Sequence, residues 1–308
     1  MAWRRPGMAN GNNGFVDLFC GVGGAGLGLK RAGLRPILGI DKYLRAVEIY
    51  REAVGPALQA DVRRLDPAQT IQEEVFLIWS SPPCPPWSLG RKYRGLPMGF
   101  DTEDGRLLLE PIRWIEALRP TWAVIENVGT LPAEAIETLS EGLAGLGYKV
   151  RNLLLNARDW VPQSRDHVFI VAGPDSIPNP TPPPIAPRFA DIRDGTGALP
   201  VEPRTIRHWV KRKFAVPIVD ANGVLPTVST RGYHHRWTCA VYEGDGRYRF
   251  PTFLEAARAQ GFPDDHPIHR LAAETSTAAW RLLGDAVPVP LAQAIAEAIL
   301  LKSAQIGI

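Results

Sequence analysis

The stretch that decides the fold is Val75-Phe76-Leu77-Ile78-Trp79-Ser80-Ser81-Pro82-Pro83-Cys84-Pro85-Pro86-Trp87-Ser88. Its apolar part, 75–79, predicts a short buried strand. The prolines that follow can continue neither a sheet nor a helix, and each restricts the residue before it, so Cys84 is held in a stiff turn. A thiol at the carboxyl end of a buried strand lies where open α/β proteins place their chemistry. The pattern also fits an inert cysteine in a proline-rich loop.

The bulk composition indicates an ordinary globular enzyme-sized chain. The 308 residues are 45% hydrophobic and 22% charged, with a net charge of +3. This length allows one large domain and a smaller one. The slight basic excess is compatible with a polyanionic partner but does not identify one.

Cysteine usage and hydropathy exclude several protein classes. Cys20, Cys84 and Cys239 are far apart in sequence, which supports neither a zinc site nor a disulfide framework and fits a reducing, cytoplasmic location. No apolar run approaches the roughly 18 residues of a membrane helix. The N-terminal residues 1–14 lack the apolar core of a signal peptide, and we expect them to be disordered.

A glycine-rich turn follows the first predicted strand. The strand Phe15–Phe19 runs into Cys20–Gly28, and a helical pattern then continues to Gly33. Strand, glycine turn and helix form the layout of a nucleotide-binding crossover, in which the helix N-terminus offers free N–H groups. Glycines there also serve close packing alone, so the turn by itself is weak evidence.

Acidic residues follow the next two predicted strands. Asp41 ends the strand that begins at Pro36, about 20 residues past the glycine turn, where a carboxylate accepts hydrogen bonds from ribose hydroxyls. Asp41 equally fits a cap for the helix predicted over 43–53. Asp61 comes after a third predicted strand. These acids suit a cofactor that contains a ribose and a base.

The residues after Cys84 predict a loop and then further strand–helix alternation. The polar, glycine-rich segment 89–105 suits a mobile lid whose Arg91, Lys92 and Arg94 meet phosphates, or simply a solvated loop. A helix is predicted over 107–118, and strands over 121–125, 147–155 and 168–172. The alternation predicts an α/β fold with a doubly wound sheet.

The order of the motifs resembles the cytosine-C5 DNA methyltransferases. No single motif carries this resemblance, which covers about residues 15–172 and 248–300. The matching stretches are Phe15–Gly24, Pro82-Pro83-Cys84, Glu126-Asn127-Val128, Gln163 with Arg165, Phe253–Pro263 and Gly284–Pro288.

The resemblance implies a Rossmann-like methyltransferase domain that binds S-adenosylmethionine. Phe19 would stack on the adenine, Asp41 would hold the ribose, and Asp61 with Val62 would border the adenine. The other implied cofactor-binding residues are Gly21, Gly23, Gly24, Leu107 and Asp285.

The resemblance also implies covalent catalysis on a flipped cytosine. Cys84 would add to C6, Glu126 would face the base, and Arg165 would support the base and the catalytic loop. His167 stands where the family has a second arginine that contacts the base carbonyl. That contact would be weakened or made dependent on pH by a histidine.

Two other departures from the family bear on activity. Pro85 replaces the usual glutamine after the cysteine, and Asp285 replaces an asparagine. The reaction we predict is methyl transfer to C5 of cytosine in double-stranded DNA. A DNA-binding protein without turnover, an enzyme acting on RNA (including tRNA) and transfer of a different group stay open. The recognition sequence also stays open, and so does the choice between a restriction-linked, a phage and a solitary role.

The second half predicts a smaller target-recognition domain. The proline-rich segment 174–188 predicts a stiff linker. We expect the small domain to comprise 189–275. The catalytic domain is then discontinuous and comprises 15–173 and 276–308. A basic cluster over 204–213 suits phosphates, and the mixed segment 230–237 suits base edges. That segment supplies the candidate DNA-binding residues Arg231, His234, His235 and Arg236. We expect a monomer without a metal or a membrane.

Overall fold

The computed structural model describes residues 13–87, 89–92, 95–211, 216–232 and 239–308. The chain divides into two compact units. The first comprises Met1–Leu155, Asp166–Thr181 and Ala292–Ile308, and the second comprises Asn156–Arg165 and Pro182–Leu291.

A seven-stranded sheet, in the order β3-β2-β1-β4-β5-β7-β6, forms the centre of the first unit. Its strands are β1 Gly14–Leu18, β2 Arg35–Asp41, β3 Ala57–Gln59, β4 Leu77–Ser80, β5 Trp122–Val128, β6 Lys149–Asn156 and β7 Asp166–Gly173. The pairs from β3 to β5 are parallel, whereas β7 runs antiparallel to β5. The carboxyl ends of β1, β2, β4 and β5 therefore meet at one edge of the sheet.

The connections between these strands contain helices. They are α1 Gly24–Ala32, α2 Leu44–Ala53, α3 Pro67–Thr70, α4 Leu89–Lys92, α5 Glu103–Arg106, α6 Glu110–Leu118 and α7 Ala133–Gly145. Helices α1 and α2 contact β2, and α7 contacts β7. The fold class predicted from the sequence, α/β with a doubly wound Rossmann-like sheet, is confirmed.

The central strands are mostly apolar because helices cover both faces of a parallel sheet. Every residue of β4 is buried, and so are the first six of β5. The core contains Val16, Ile78, Ile125 and Ile170 from the sheet and Trp114 and Leu139 from the helices.

The second unit contains a small sheet and short helices. Its elements are α8 Pro203–Lys211, β8 Ile218–Val219, β9 Ala240–Gly244, β10 Arg247–Arg249, α9 Phe253–Ala259, α10 Ile268–Glu274 and α11 Ser276–Asp285. The strand order is β10-β9-β8. The last helix, α12 Val289–Gln305, begins in this unit, and its larger part belongs to the first.

Four details differ from the sequence prediction. Asn13 and Gly14, predicted to be disordered, belong to the fold, since the Asn13 carbonyl accepts from Arg35 N at 3.0 Å. The predicted helix 107–118 is a 3-10 turn followed by α6, because Pro111 lies in the first turn of α6. Glu126 and Asn127 lie within β5 rather than after it. The predicted loop 89–105 contains α4 and part of α5.

The predicted start of the second catalytic segment also differs from the division into units. Helix α11, which begins at Ser276, clusters with the second unit. A Cβ at Gly284 would lie 2.5 Å from Thr230 N, and one at Gly232 would lie 2.7 Å from the Trp280 ring. These close approaches hold α11 against the segment that precedes β9.

Within the described residues, one helical run has the length and apolar composition of a membrane span, which the sequence analysis did not predict. It is Ser276–Gln305, and 67% of its apolar window is buried inside the protein. A core helix of a globular protein has the same properties, so this run is weak evidence for a membrane.

A buried ion network links β10 to α9. Arg249 donates through Nη1 and Nη2 to the two carboxylate oxygens of Glu255, each at 2.7 Å, and its Nε donates to Glu243 at 2.6 Å. Glu255 is fully buried and also accepts from Thr252 N at 2.9 Å in a capping box. This network joins the sheet to the helices of the second unit.

We predict that Glu255→Gln lowers the free energy of unfolding by about 3 kcal/mol, because it removes the buried bidentate carboxylate partner of the Arg249 guanidinium. Urea denaturation followed by circular dichroism measures the change. Arg247→Ala is the matched control: Arg247 and Asp245 are exposed and 3.9 Å apart, so the cost should stay below about 0.5 kcal/mol. Equal losses in the two variants would contradict the prediction.

Candidate active site

The glycine turn after β1 is an open, left-handed bend. Gly21 has φ 52° and Gly23 φ 89°, which side chains rarely adopt. Gly23 is the N-cap of α1, and a Cβ there would lie 2.6 Å from Val54. A Cβ at Gly21 would meet no atom within 4 Å, so the space beside the turn is open. Gly24 is the first residue of α1 and is buried.

Asp41, at the end of β2, is hydrogen-bonded to this turn. Its Oδ2 accepts from Gly21 N at 3.0 Å, and its Oδ1 accepts from Tyr43 N at 2.9 Å. Burial raises the pKa of Asp41, and the two N–H groups oppose that shift. Asp41 is not the N-cap of α2, which is Tyr43. Each carboxylate oxygen has a second lone pair with which it can accept a ribose hydroxyl.

Asp61 and Val62 lie at the start of a 3-10 turn after β3. The Asp61 carboxylate accepts from Arg63 N at 3.0 Å and pairs with Arg63 Nη2 at 2.6 Å. Hydrogen bonding to the Arg63 side chain lowers the pKa of Asp61 to about 2. Arg63 also pairs with Glu103 at 2.6 Å. Asp61 is thus a fixed anion here, and Val62 beside it is buried.

Phe19 and Leu107 are apolar members of the predicted cofactor set. Phe19 has φ 58°, an uncommon conformation for an aromatic residue, and its ring packs against the core. Such strain is concentrated at functional sites. Leu107 is buried in the 3-10 turn before α6.

A buried carboxyl that the sequence analysis did not assign lies under the turn. Asp17 is 1% exposed, and neither carboxylate oxygen accepts a hydrogen bond of good geometry. A Cβ at Gly26 would lie 2.6 Å from the Tyr50 hydroxyl and 3.0 Å from Asp17 Oδ2, so these groups are neighbours. Burial raises the pKa of Asp17 to about 8. The Tyr50 hydroxyl opposes this increase in pKa, and the negative charge of Asp41 adds to it. Asp17 is therefore mostly neutral near pH 7.

The proline turn holds Cys84 half-buried at the carboxyl end of β4. Pro85–Trp87 form a 3-10 turn in which Trp87 N donates to the Cys84 carbonyl at 2.9 Å. Trp87 is buried edge-on against Phe100, with ring centroids 5.0 Å apart. Trp87 therefore anchors the turn in the core, whereas Pro85, which stands in place of the usual glutamine, is exposed.

Asn127 fastens the proline turn to β5. Its Nδ2 donates to the Pro82 carbonyl at 3.1 Å, and its Oδ1 accepts from Val128 N at 3.0 Å. Thr130 adds a second link, from its hydroxyl to the Trp87 carbonyl at 3.2 Å. The Cys84 turn and the Glu126 segment are thus parts of one local structure.

Glu126 and His167 are in direct contact. His167 Nδ1 lies 2.7 Å from Glu126 Oε1, and the two side chains are 0% and 9% exposed. The sequence placed both residues in the site but did not predict this pairing, because it requires the register of β5 against β7. The sequence signal for this pairing was limited to the presence of an acidic residue and a histidine in two separate motifs.

Arg165 and Asp285 belong to the second unit. Arg165 is buried, and its Nη1 donates to the Gly284 carbonyl at 2.9 Å. Asp285 is exposed at the end of α11. Gln163 is buried too: its Oε1 accepts from Val228 N at 2.8 Å, and its Nε2 donates to the Ala259 carbonyl at 3.1 Å. The implied role of Arg165 towards the base and Cys84 stays a prediction.

The candidate DNA-binding residues are only partly described. Arg91 donates through Nε to the Pro97 carbonyl at 2.5 Å, and Lys92 and Arg231 are exposed. Arg94, His234, His235 and Arg236 lie outside the described residues. Among all the residues that the structure describes, no group of three or more His, Cys, Asp or Glu could hold a metal ion.

The residues around the glycine turn fit S-adenosylmethionine. The open space beside Gly21 admits a ligand close to the backbone, and Asp41 keeps acceptor capacity for the ribose. The carboxylates that follow neighbouring strands, Asp41 and Asp61, also suit a ligand that carries a positive charge.

Comparison with known proteins gives a family model and several relatives. Residues 14–213 and 202–301 match the family model described as C-5 cytosine-specific DNA methylase. The Type II methyltransferase M.NlaX of Neisseria lactamica is 30% identical over 308 aligned residues, covering 92% of this chain and 94% of the relative. The Type II methyltransferase M.NgoBI of Neisseria gonorrhoeae is 28% identical, covering 91% and 90%.

Solved structures share the fold. The Dnmt2 methyltransferase of S. pombe has a TM-score of 0.73 at 19% identity and covers 96% of this chain and 100% of its own. The Entamoeba histolytica methyltransferase EhMeth has a TM-score of 0.76 at 14% identity, covering 96% and 99%. At such identities these structures support the fold alone.

We predict that Asp17→Asn flattens the pH dependence of stability. Between the ordinary pKa of 3.8 and the native value of about 8, the folded protein binds a proton that the unfolded chain has lost. Asp17 therefore makes the free energy of unfolding fall as pH rises through this window, by at most about 1.4 kcal/mol per pH unit. Urea denaturation at several pH values in the window measures the slope.

Asp175→Asn is the matched control. Its hydrogen bond from Lys149 lowers the pKa of Asp175 to about 2, so this carboxyl stays ionised throughout the window. The control should keep the wild-type slope. An Asp17→Asn protein with the wild-type slope would disprove the neutral Asp17.

Proposed function

The chain belongs to the C-5 cytosine-specific DNA methylase family, and from this premise we propose that it transfers a methyl group to C5 of a flipped cytosine in double-stranded DNA. The observation that carries the proposal is the joint anchoring of Cys84 and Glu126. The Asn127–Pro82 hydrogen bond links the cysteine turn to the strand that carries the glutamate.

Cys84 supplies the nucleophile. C5 of cytosine is a poor nucleophile, but addition of a thiolate at C6 moves electron density through the ring and makes C5 reactive. The prolines and the buried Trp87 restrict the turn, so the thiol is held in place before the base arrives. S-adenosylmethionine, when bound, supplies an electrophilic methyl group on a sulfonium. Expulsion of Cys84 as the C5 proton leaves restores the aromatic ring.

Glu126 faces the base edge. A protonated carboxyl can donate to N3 while its other oxygen accepts from the 4-amino group, which selects cytosine and stabilises the charge that develops on N3. C6 and N3 are inaccessible in a stacked duplex, so the base must be extruded. Burial of Glu126 at the end of β5 supports its use as a proton donor shielded from water.

The second unit supplies candidate contacts to the duplex. Helix α8 buries Ile206 and Trp209, which leaves its other face to exposed basic residues. The exposed basic residues of α8 are Arg204, Arg207, His208 and Lys211. A helix with one apolar face docked and one basic face exposed suits phosphate binding. We therefore assign target recognition to this unit.

We predict that Cys84→Ala abolishes methyl transfer, because it removes the thiol that is proposed to bond to C6. Incorporation of tritiated methyl groups into a mixed-sequence duplex measures turnover, and trapping on a 5-fluorocytosine duplex measures the covalent bond. Cys239→Ala is the control, since Cys239 is buried in the second unit, and it should keep both signals. Methylation by Cys84→Ala would refute the covalent mechanism.

The same assay separates the competing functions. Duplex binding by the wild-type protein without incorporation would indicate a DNA-binding protein that lacks turnover. Incorporation of labelled methyl groups into RNA but not into DNA would indicate that the substrate is RNA. Mass spectrometry of the product nucleoside identifies the transferred group, and any product other than 5-methylcytosine would contradict the proposal.

We also predict that Arg204→Ala and Arg207→Ala weaken duplex binding to a similar extent for all sequences. Each phosphate contact that is lost should reduce the slope of log K against log salt by about 0.9. Fluorescence anisotropy at several salt concentrations measures the slope. Arg45→Ala, on the exposed surface of α2, should leave it unchanged. An unchanged slope in the two α8 variants would exclude this helix from the phosphate contacts.

A further inference from the structure

We propose that His167 is a positioning residue that shares a proton with Glu126 and so sets the pH range in which Glu126 can donate to cytosine N3. This inference rests on the proposed function. It concerns a histidine that stands where the resembled family has an arginine. It follows from a contact that the sequence did not predict.

The strand register forces the two side chains together. In the antiparallel pair β5–β7, Glu126 lies opposite Phe169 and Val128 lies opposite His167. Side chains two residues apart on a strand share a face, so Glu126 and His167 are diagonal neighbours on the same face. The 2.7 Å distance between Oε1 and Nδ1 is that of a strong, charge-assisted hydrogen bond.

The surroundings hold the imidazole rigidly. His167 is fully buried and stacks on the Phe169 ring, with centroids 5.9 Å apart and an interplanar angle of 27°. Phe169 in turn packs edge-on against Trp79 of β4. The ring therefore keeps Nδ1 directed at the carboxyl group, in a region of low dielectric constant where the hydrogen bond is strong.

Few other charged groups of the first unit face this pair. Asp166 points to the opposite face of β7 and is exposed. On β6, Lys149 pairs with Asp175, and Arg151 bonds the Ile177 carbonyl. The acidic residues of α7 are exposed, namely Glu134, Glu137 and Glu141. Strand β4 carries no ionisable group, and the turn after it carries Cys84.

The proton count of the pair gives the mechanism. The singly protonated pair exists in two forms that hold the same number of protons. In one, the Glu126 carboxylate accepts from an imidazolium; in the other, which donates to the base, Glu126 carries the proton on Oε2 and its Oε1 accepts from Nδ1–H of a neutral imidazole. As Cys84 Sγ bonds to C6, the ring electrons move to N3, which takes the Oε2 proton. The new carboxylate keeps the hydrogen bond from Nδ1–H. N3 later returns the proton to Oε2, and the pair is restored.

Loss of one proton from the pair abolishes donation to N3. An ordinary imidazole loses its proton near pH 6.5 and an ordinary glutamate near pH 4.3, about two units lower. The histidine therefore keeps the pair singly protonated up to a higher pH than that at which an ordinary glutamate alone loses its proton.

The test is exchange of a tritium label from C5 of cytosine in a duplex, without S-adenosylmethionine. Addition of Cys84 to C6 with proton transfer to N3 lets C5 take a proton from water. The label then leaves to water, and the C5–C6 double bond re-forms as the thiolate departs. The rate rises with pH as Cys84 ionises and falls as the pair loses its proton.

We predict that His167→Asn moves the falling limb by at least about one pH unit to the acid side, because asparagine keeps a nitrogen donor near Nδ1 but cannot titrate. Asp166→Asn, the neighbouring exposed carboxyl on the same strand, should leave the limb in place. A purely structural role predicts a lower rate with an unchanged midpoint, which would overturn the proposal.

Nitrogen NMR of the free protein tests the pair independently of turnover. The His167 signals are assigned by their loss in His167→Asn. We expect Glu126→Gln to lower the pKa of His167 by about one unit or more, since the carboxylate stabilises the imidazolium. An unchanged His167 titration would disprove the shared proton. The two proposals can fail separately. If the wild-type protein neither exchanges the C5 tritium nor methylates DNA, but the pKa of His167 changes in Glu126→Gln, the proposed function is wrong and the interaction between His167 and Glu126 is supported.

Discussion

The hydrogen bond from the Asn127 amide to the Pro82 carbonyl is the constraint on which the site depends. It joins Pro82, which follows the end of β4, to a buried residue near the carboxyl end of the adjacent parallel strand β5. The proline turn has few backbone N–H groups of its own with which to hold its position. A side-chain donor from the next strand therefore orients the segment that presents Cys84. The buried Trp87 fixes the other end of the same segment.

The polar groups near the strand ends are more deeply buried than is usual for titratable residues. Asp17, Glu126 and His167 are each at most 9% exposed. Such burial costs stability unless the groups are neutral or hydrogen-bonded. Asp17 meets this condition by keeping its proton, and Glu126 and His167 meet it by pairing with each other. Sites of this kind are places where a protein accepts a local cost for function.

The predictable parts of the fold are those with a local cause. The apolar runs of β1, β4 and β5 and the glycines after β1 indicated a doubly wound sheet, because burial and backbone strain act within a few residues. Candidate site residues at strand ends followed from the topology of parallel sheets. The helix predicted over 107–118 begins as a 3-10 turn, because Pro111 in the first turn of α6 has no N–H to continue the α-helical hydrogen bonds into that turn.

The sequence by itself determined the class of the fold, the cysteine turn and the family resemblance, since each depends on residue types at short spacing. Only the tertiary structure decided which side chains meet. The register of β5 on β7 brings Glu126 to His167, and the packing of α2 brings Tyr50 under the glycine turn beside Asp17. A one-residue change of register would turn either strand's side chains to the other face. That register is set by long-range packing of the whole sheet, which no local pattern in the chain encodes.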